Sequence, residues 1–279
     1  PFYLNYIKPN YWKTTAAFGL NLNQSTFSDN WSSGGVNSIA LSSQINYKSE
    51  YNKDGKNFIT ELILQYGKIK NKDQMQKKTN DRIFWDNKAA LQLSKSWYFF
   101  GSVSFESQFD IGYKYKNTDD GEVAIPISKF MAPAYLTESL GFEYKPEKWF
   151  SLRLGTGTAR QTFMLDTTLH ERDNNGNPTG KNFGVPFGKT FRNELAFQAV
   201  ANLDKDVMEN INLKARYFVF AAYETLNNMD QRLDVTVTAK VNKVINVTVN
   251  GTALYDDDAS TEIQAAQSLA LGLVYKLPK

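Results

Sequence analysis

Apolar and polar residues alternate along most of this chain. Ile245, Val247, Val249, Gly251, Ala253 and Tyr255 share one face, while Asn246, Thr248, Asn250 and Thr252 share the other with Leu254. Just before them, Leu233, Val235, Val237, Ala239 and Val241 oppose Asp234, Thr236, Thr238, Lys240 and Asn242. A period of two, with one face apolar and the other amide and hydroxyl, predicts a strand lying between two different environments. The pattern predicts twelve such strands, near 12–24, 35–50, 57–69, 82–94, 97–110, 133–145, 149–161, 190–203, 210–223, 231–241, 244–255 and 263–277. No segment carries the periodicity of a long amphipathic helix. Strands of globular proteins cluster near about 5–6 residues, whereas a tilted membrane-crossing strand needs roughly 9–11. All twelve candidates are long enough to cross.

The connections separate into two sets. Odd-numbered ones average about 14 residues and even-numbered ones about 4, the asymmetry of barrels with long extracellular loops and short periplasmic turns. The short set carries turn chemistry, as in Asp54-Gly55 and in Pro146-Glu147-Lys148. Aromatic residues fall at the two ends of the apolar faces. Trp12, Tyr47, Trp97, Tyr144, Phe150 and Tyr275 stand near the short turns, and Tyr66, Trp85, Tyr223 and Tyr255 near the long loops. Two such girdles around an aliphatic band suit a bilayer, because amphipathic rings prefer its interfaces. The expected fold is all-β: a single twelve-stranded antiparallel transmembrane β-barrel of an outer membrane. It occupies 1–279, with 1–11 as a periplasmic N-terminal segment. An aromatic-rich soluble β-protein is the competing reading.

Composition agrees with this. The 279 residues contain 19 Phe, 15 Tyr and 5 Trp, too aromatic for a disordered chain, and no cysteine, so neither disulfides nor thiolate metal sites are available. Mean hydropathy is −0.46, and no apolar run is long enough for a membrane helix. Lys and Arg total 32 against 29 Asp and Glu, spread along the chain rather than gathered in a patch, so nucleic acid is not an expected partner. The chain opens at Pro1 without Met or an apolar leader, so any export signal is expected to have been removed or left out of the numbering.

The stretch Ala270-Leu271-Gly272-Leu273-Val274-Tyr275-Lys276-Leu277 resembles the β-signal by which the barrel-assembly machinery recognises its clients. Gly272, Tyr275 and Leu277 fit that pattern, and Ala270 departs from its polar position. The resemblance implies that the three form a membrane-insertion signal. Tyr11-Trp12-Lys13, then Asn21 to Phe27, then Asn30-Trp31-Ser32-Ser33-Gly34-Gly35 resembles an uncharacterised family of Bacteroidota outer-membrane barrels, known only as a domain of unknown function. That resemblance implies fold and location, and it carries no catalytic residue to transfer.

Chemistry is sparse. His170, the single histidine, lies among Thr168, Glu171, Arg172 and Asp173 without a recognisable nucleophile, and no cofactor or metal is expected. Asp256, Asp257, Asp258 and Glu262, and separately Asp119, Asp120 and Glu122, are acidic loop clusters. They suit either solvated turns or divalent ions shared with lipopolysaccharide. The inward face carries charges of both signs: Glu61, Asp86, Lys88, Glu106, Arg153, Arg192, Glu194, Lys214 and Arg216, with Lys48, Asp110, Glu143, Asp234, Lys240 and Lys276 beside them. No single-sign ring would select ions. Bulky Tyr98, Phe100, Phe218 and Phe220 point the same way, and loops 111–132 and 162–189 are long enough to fold inward. Glu138 breaks the pattern, sharing an outward face with Ala134, Leu136, Leu140, Phe142 and Tyr144. Unbroken alternation there marks a contact for a partner, a local bulge would turn Glu138 inward, and neighbouring Ser107 offers a softening donor. The expected function is a non-enzymatic barrel serving as an accessory subunit of an outer-membrane assembly or export machine. A narrow pore or small-solute transporter is the alternative, and an outer-loop enzyme the second alternative. Expected partners are outer-membrane lipid and lipopolysaccharide, the assembly machinery, and other outer-membrane subunits.

Overall fold

The computed structural model describes residues 10–28, 35–119, 121–169, 182–242, 245–256 and 260–276. Its strands are β1 (Trp12–Ser25), β2 (Ser38–Lys53), β3 (Lys56–Asn71), β4 (Lys77–Gln92), β5 (Trp97–Ser107), β6 (Gly112–Thr118), β7 (Gly121–Ser128), β8 (Ala134–Glu147), β9 (Phe150–Phe163), β10 (Phe191–Met208), β11 (Ile211–Ala222), β12 (Asp230–Lys240), β13 (Ile245–Asp256) and β14 (Ser260–Lys276). All except β6 and β7 pair antiparallel in a closed barrel, in the order β1-β14-β13-β12-β11-β10-β9-β8-β5-β4-β3-β2. The twelve barrel strands are the twelve that the alternation predicts. One 3₁₀ turn, Thr167–Leu169, is the helical element among the described residues.

Closure follows from the environment. In hydrocarbon every backbone N–H and C=O must find a partner within the protein, and a sheet achieves this only when it has no edge. The outward face supplies the apolar contact: Leu20, Leu41, Ile45, Leu140, Leu195, Leu233, Leu271 and Leu273 are all exposed there. Aromatic pairs sit toward the short turns, with Trp97 and Tyr144 rings 5.0 Å apart and Trp12 and Tyr51 5.2 Å apart. The Asp54-Gly55 hairpin has φ of 48° and 74°, the left-handed pair that a two-residue turn of this twist requires.

Three features depart from the sequence expectation. Segment 111–132 holds a separate hairpin, β6–β7, rather than an inward loop. It leans on the β3–β4 connection, where Glu122 accepts from Met75 N–H at 3.0 Å and pairs with Lys77. Strands β3 and β4 continue beyond Tyr66 because their ladder runs on through Lys-rich, polar sequence that reads as loop, and Trp85, expected near the long loops, instead sits mid-strand in one register row with Leu62 and with Tyr47 of the short-turn set. The closing seam is short. Strands β1 and β14 pair only from Ala17–Lys276 to Asn21–Gly272, and beyond that β14 pairs with β13 alone among the described residues.

Candidate functional site: the barrel lumen

Because the pleat sends alternate residues inward, one register row crosses most of the interior. Thr15, Lys48, Glu61, Asp86, Ser104, Thr137, Arg160 and Glu194 form such a row from β1 through β10. Thr15 and Lys48 at one end are exposed, while Asp86 at 3%, Arg160 at 9% and Glu194 at 8% are sealed. The lumen therefore has two unlike halves.

The sealed half is built on β4, β5 and β8–β12. Lys88 and Glu143, each 1% exposed, form an ion pair, and Arg153 ties Asp86 (2.9 Å) to Glu143 (3.4 Å). Arg160 reaches Asp230 at 2.6 Å and Glu194 at 3.2 Å, and Arg192 also binds Glu194 at 2.9 Å. The Arg160 guanidinium lies 3.7 Å from the Phe220 ring centroid. Arg82 and Arg232 share Glu106 at 2.7 and 3.6 Å, and Arg232 holds Asp234 at 2.8 Å. Phe84, Phe100 and Phe220 are buried among these groups, with Arg216 5.1 Å from the Phe84 ring. Buried charges persist when each is paired and hydrogen-bonded, and that condition orders this wall.

Of the lumen charges expected from sequence, Asp86, Lys88, Glu106, Arg153, Arg192 and Glu194 lie in these networks, and Glu61 stands in register with Asp86. Lys214 pairs with Asp204 at 3.0 Å, where both are well exposed. Asp110 is not a lumen residue. It follows the end of β5 and meets Lys68 at 2.9 Å and Tyr66 Oη at 2.5 Å on the outer side. Lys68, Tyr66 and the Ile111 N–H hold its carboxyl well below the usual carboxylate range. Arg82 and Arg232 have the parity of Asp86 and Asp234, a signal present in the alternation. Arg160 is different. Parity from Arg153 places it outward, but a bulge at Thr156, between Gly155 and Gly157, shifts the register and turns it inward. Glycine within the strand was the available sign. A Cβ on Gly141 would lie 2.0 Å from Leu154 O, so glycine is needed opposite that bulge.

The open half is built on β13, β14, β1 and β2. Its inward positions read Asn246, Thr248, Asn250 and Thr252; Gln264, Ala266, Ser268 and Ala270; Thr15, Ala17, Gly19, Asn21 and Asn23; Ala40, Ser42, Gln44 and Asn46. Those positions carry no charge, but Lys13, Lys48 and Glu50 stand at their short-turn edge, exposed Lys240 of β12 is in register with Asn246, and the backbone of Lys276 is in register with Ala17. Gln264, Ser268, Asn23, Thr15 and Asn46 are exposed on this inner face. Thr236 and Asn250 side chains bond at 2.9 Å, and Gln44 donates to Asn46 at 3.1 Å.

Other expected positions distribute as follows. Glu138 is outward and exposed, in register with Val103 and Ala159. The bulge lies opposite Leu140 and Gly141, so it does not turn Glu138 inward. Ser107 does not serve Glu138, since it donates to Pro133 O and accepts from Met131 N–H. Gly272 pairs with Asn21 at the last rung of the seam. Tyr275 is described by its backbone alone, in register with Phe18, and Leu277, His170, Asp120, Asp257 and Asp258 lie outside the described residues. Among the described residues no group of three or more His, Cys, Asp or Glu is placed to hold a metal ion.

A closed barrel with an aliphatic outer band and a polar interior is an integral β-barrel protein of an outer membrane. A family model described as "Protein of unknown function (DUF3078)" matches residues 22–113, overlapping the N-terminal resemblance. No curated protein matches the chain. Among solved structures, the translocator domain of autotransporter NalP from Neisseria meningitidis is similar at 11% identity and TM-score 0.41, covering 98% of this chain and 90% of that one. The NanC porin is similar at 7% identity and TM-score 0.42, covering 94% and 100%. An outer membrane channel from Pseudomonas putida F1 is similar at 8% identity and TM-score 0.39, covering 97% and 98%. None of the three bears on what this chain carries.

Proposed function

We propose that this protein is a non-enzymatic, narrow pore for small solutes across the outer membrane. One observation carries this reading: the lumen is sealed by paired charges and rings on one side only. Twelve strands lie between the roughly 8 whose interior side chains just fill and the 16 that leave an aqueous channel. Where the inward residues are Lys, Arg, Glu and Phe the space is taken, and where they are Asn, Ser, Thr, Ala and Gly it stays free. The accessory-subunit reading, first from sequence alone, gives way to the alternative. Reconstituted barrels in planar bilayers are expected to open in small, steady, weakly ion-selective steps. A folded barrel that never conducts overturns the proposal.

A contact with another membrane protein is kept as a second reading for the outer surface, because Glu138 faces the apolar band. Glu138→Leu should then reduce recovery of a co-purifying subunit without unfolding the barrel, and unchanged recovery removes this reading.

A further inference from the structure

The seam of the barrel is split on its long-loop side. The β1–β14 ladder runs from Ala17–Lys276 to Asn21–Gly272 and stops there. Its register would continue with Leu22 opposite Leu271, Asn23 opposite Ala270, Gln24 opposite Leu269 and Ser25 opposite Ser268. Those rungs are not made, although β1 pairs with β2 as far as Ser25 and β14 pairs with β13 back to Ser260. Exposure agrees. Leu22 to Ser25 and Glu262 to Leu269 are exposed without alternation, whereas every residue of β13, which has a partner on each side, is half-buried. The two strand edges therefore border a slit four residues long on the β1 side, roughly 14 Å at the rise of an antiparallel strand.

Resting on the pore reading, we propose that this slit is a lateral portal through which small amphiphiles pass between the lumen and the outer leaflet. Their class is an uncharged, hydroxyl-rich head on a single alkyl chain. The slit joins two environments. Toward the lumen it opens from the polar wall at Asn23, Ser25 and Ser268, and toward lipid its rims are exposed Leu22, Leu269 and Leu271. None of the eight residues from Leu22 to Ser25 and from Ser268 to Leu271 is charged. Backbone N–H and C=O groups along both edges have no strand partner, a state that hydrocarbon alone does not tolerate. Hydroxyls donate to the free carbonyls and accept from the free N–H groups, while the alkyl chain lies against the leucines. A sugar without a chain serves only the edges, and a hydrocarbon without a head serves only the rims.

The first test is amide hydrogen exchange of the full-length barrel in lipid vesicles. Peptides covering 22–25 and 262–271 should exchange many-fold faster than β3, which is paired on both sides. Protection equal to that of β3 would mean that the edges are paired, with each other or with a strand of another chain, and overturns the portal. The second test closes the slit. Adjacent rungs alternate in spacing, so Asn23→Cys/Ala270→Cys and Gln24→Cys/Leu269→Cys between them supply a geometry suited to a disulfide, in a chain with no other cysteine. Vesicles are loaded with a fluorescent dodecyl maltoside, and albumin outside extracts what crosses. Wild type and the reduced variants should release it several-fold faster than protein-free vesicles. Oxidation should return release to the protein-free rate while single-channel conductance persists. Gln24→Trp/Leu269→Trp, which covers the slit from the lipid side without a disulfide, should do the same. Each variant is first shown to fold by the mobility shift between unboiled and boiled samples on a detergent gel. Release unmoved by the disulfide or the tryptophan pair, or no faster than from protein-free vesicles, overturns the portal while a conducting pore stands. A barrel with neither release nor conductance overturns the pore reading itself.

Discussion

The two halves of the lumen share one pleat, one register and one barrel, yet one half is solid and the other is open. The difference lies in side-chain volume and in how charge is satisfied. Around β4, β5 and β8–β10, long side chains meet near the barrel axis, where Lys88 finds Glu143 and Arg160 finds both Glu194 and Asp230. Around β13, β14, β1 and β2, inward residues are mostly Ala, Gly, Ser, Thr and Asn, with Gln44 and Gln264 the longest of them, and several bond to strand neighbours, as Asn250 does with Thr236. The sealed side thus fixes the barrel's shape, and the open side is left free to face water.

The largest effect should come from the seam where the open half closes. Gly272→Val places branched carbons where Asn21 Oδ1 already stands, so the β1–β14 ladder forms only once the Asn21 side chain has swung away from Ser42. The yield of folded, fast-migrating species on an unboiled gel should fall sharply, and a normal yield would show that the contact is dispensable. In the sealed half, Lys88→Met leaves the buried Glu143 carboxylate with Arg153 as its remaining ion-pair partner, a loss expected to approach but not exceed the roughly 3–5 kcal/mol that breaking a buried pair outright costs. Urea unfolding in detergent should show it, with much of the loss recovered in Lys88→Met/Glu143→Leu. The corresponding change on the open wall, Ser268→Ala, should leave unfolding within about 0.5 kcal/mol.

On the lipid side, Glu138→Leu should stabilise the barrel in vesicles by less than the roughly 2–4 kcal/mol that a basic residue costs at the midplane. Loss of stability in that variant would mean that Glu138 has a partner. The smallest effect lies in the outer loops. Asp166 is held down to about 2 by Lys129, 2.5 Å away, and by the hydroxyl and N–H of Thr168. A folded pKa below the unfolded value of about 3.9 contributes stability that is present above that pH and fades as pH falls toward 2. The pair is partly exposed, so Asp166→Asn should cost only a few tenths of a kcal/mol at pH 6. At pH 2 the variant and wild type should unfold together, and a gap that persists there would assign the effect to something other than charge.

The fold was legible because hydrocarbon outside and polar groups inside impose one alternation on every strand, and Val247, Val249 and Leu233 declare it directly. The β6–β7 hairpin was not, because Tyr113-Lys114-Tyr115-Lys116 alternates too briefly and too near charged loop sequence to stand out. The lumen charges were legible as a set but not as pairs. Nothing in the spacing of Lys88 and Glu143, 55 residues apart, says that they meet. Arg160 shows the limit most clearly, since one extra residue at Thr156 reverses the face on which it falls. The open wall was written in plain view as runs of Asn, Thr, Ser and Gly. A closed antiparallel barrel already makes the four strands neighbours, and the register adds which of their inward residues stand side by side.

The absence of cysteine from the chain makes the division of the lumen directly measurable. Single cysteines at Thr15, Asn46 and Ser268 on the open wall, and at Ser139 and Thr158 on the sealed wall, can be treated with a small, charged thiol reagent in reconstituted, folded barrels. Ser139 and Thr158 are 3% and 1% exposed, whereas Thr15, Asn46 and Ser268 are exposed. Rapid labelling at the first three positions, with labelling at the last two only after urea unfolding, is the expected result. Equal labelling at all five, or protection of the three open-wall positions, would contradict a lumen that is sealed on one side and open on the other.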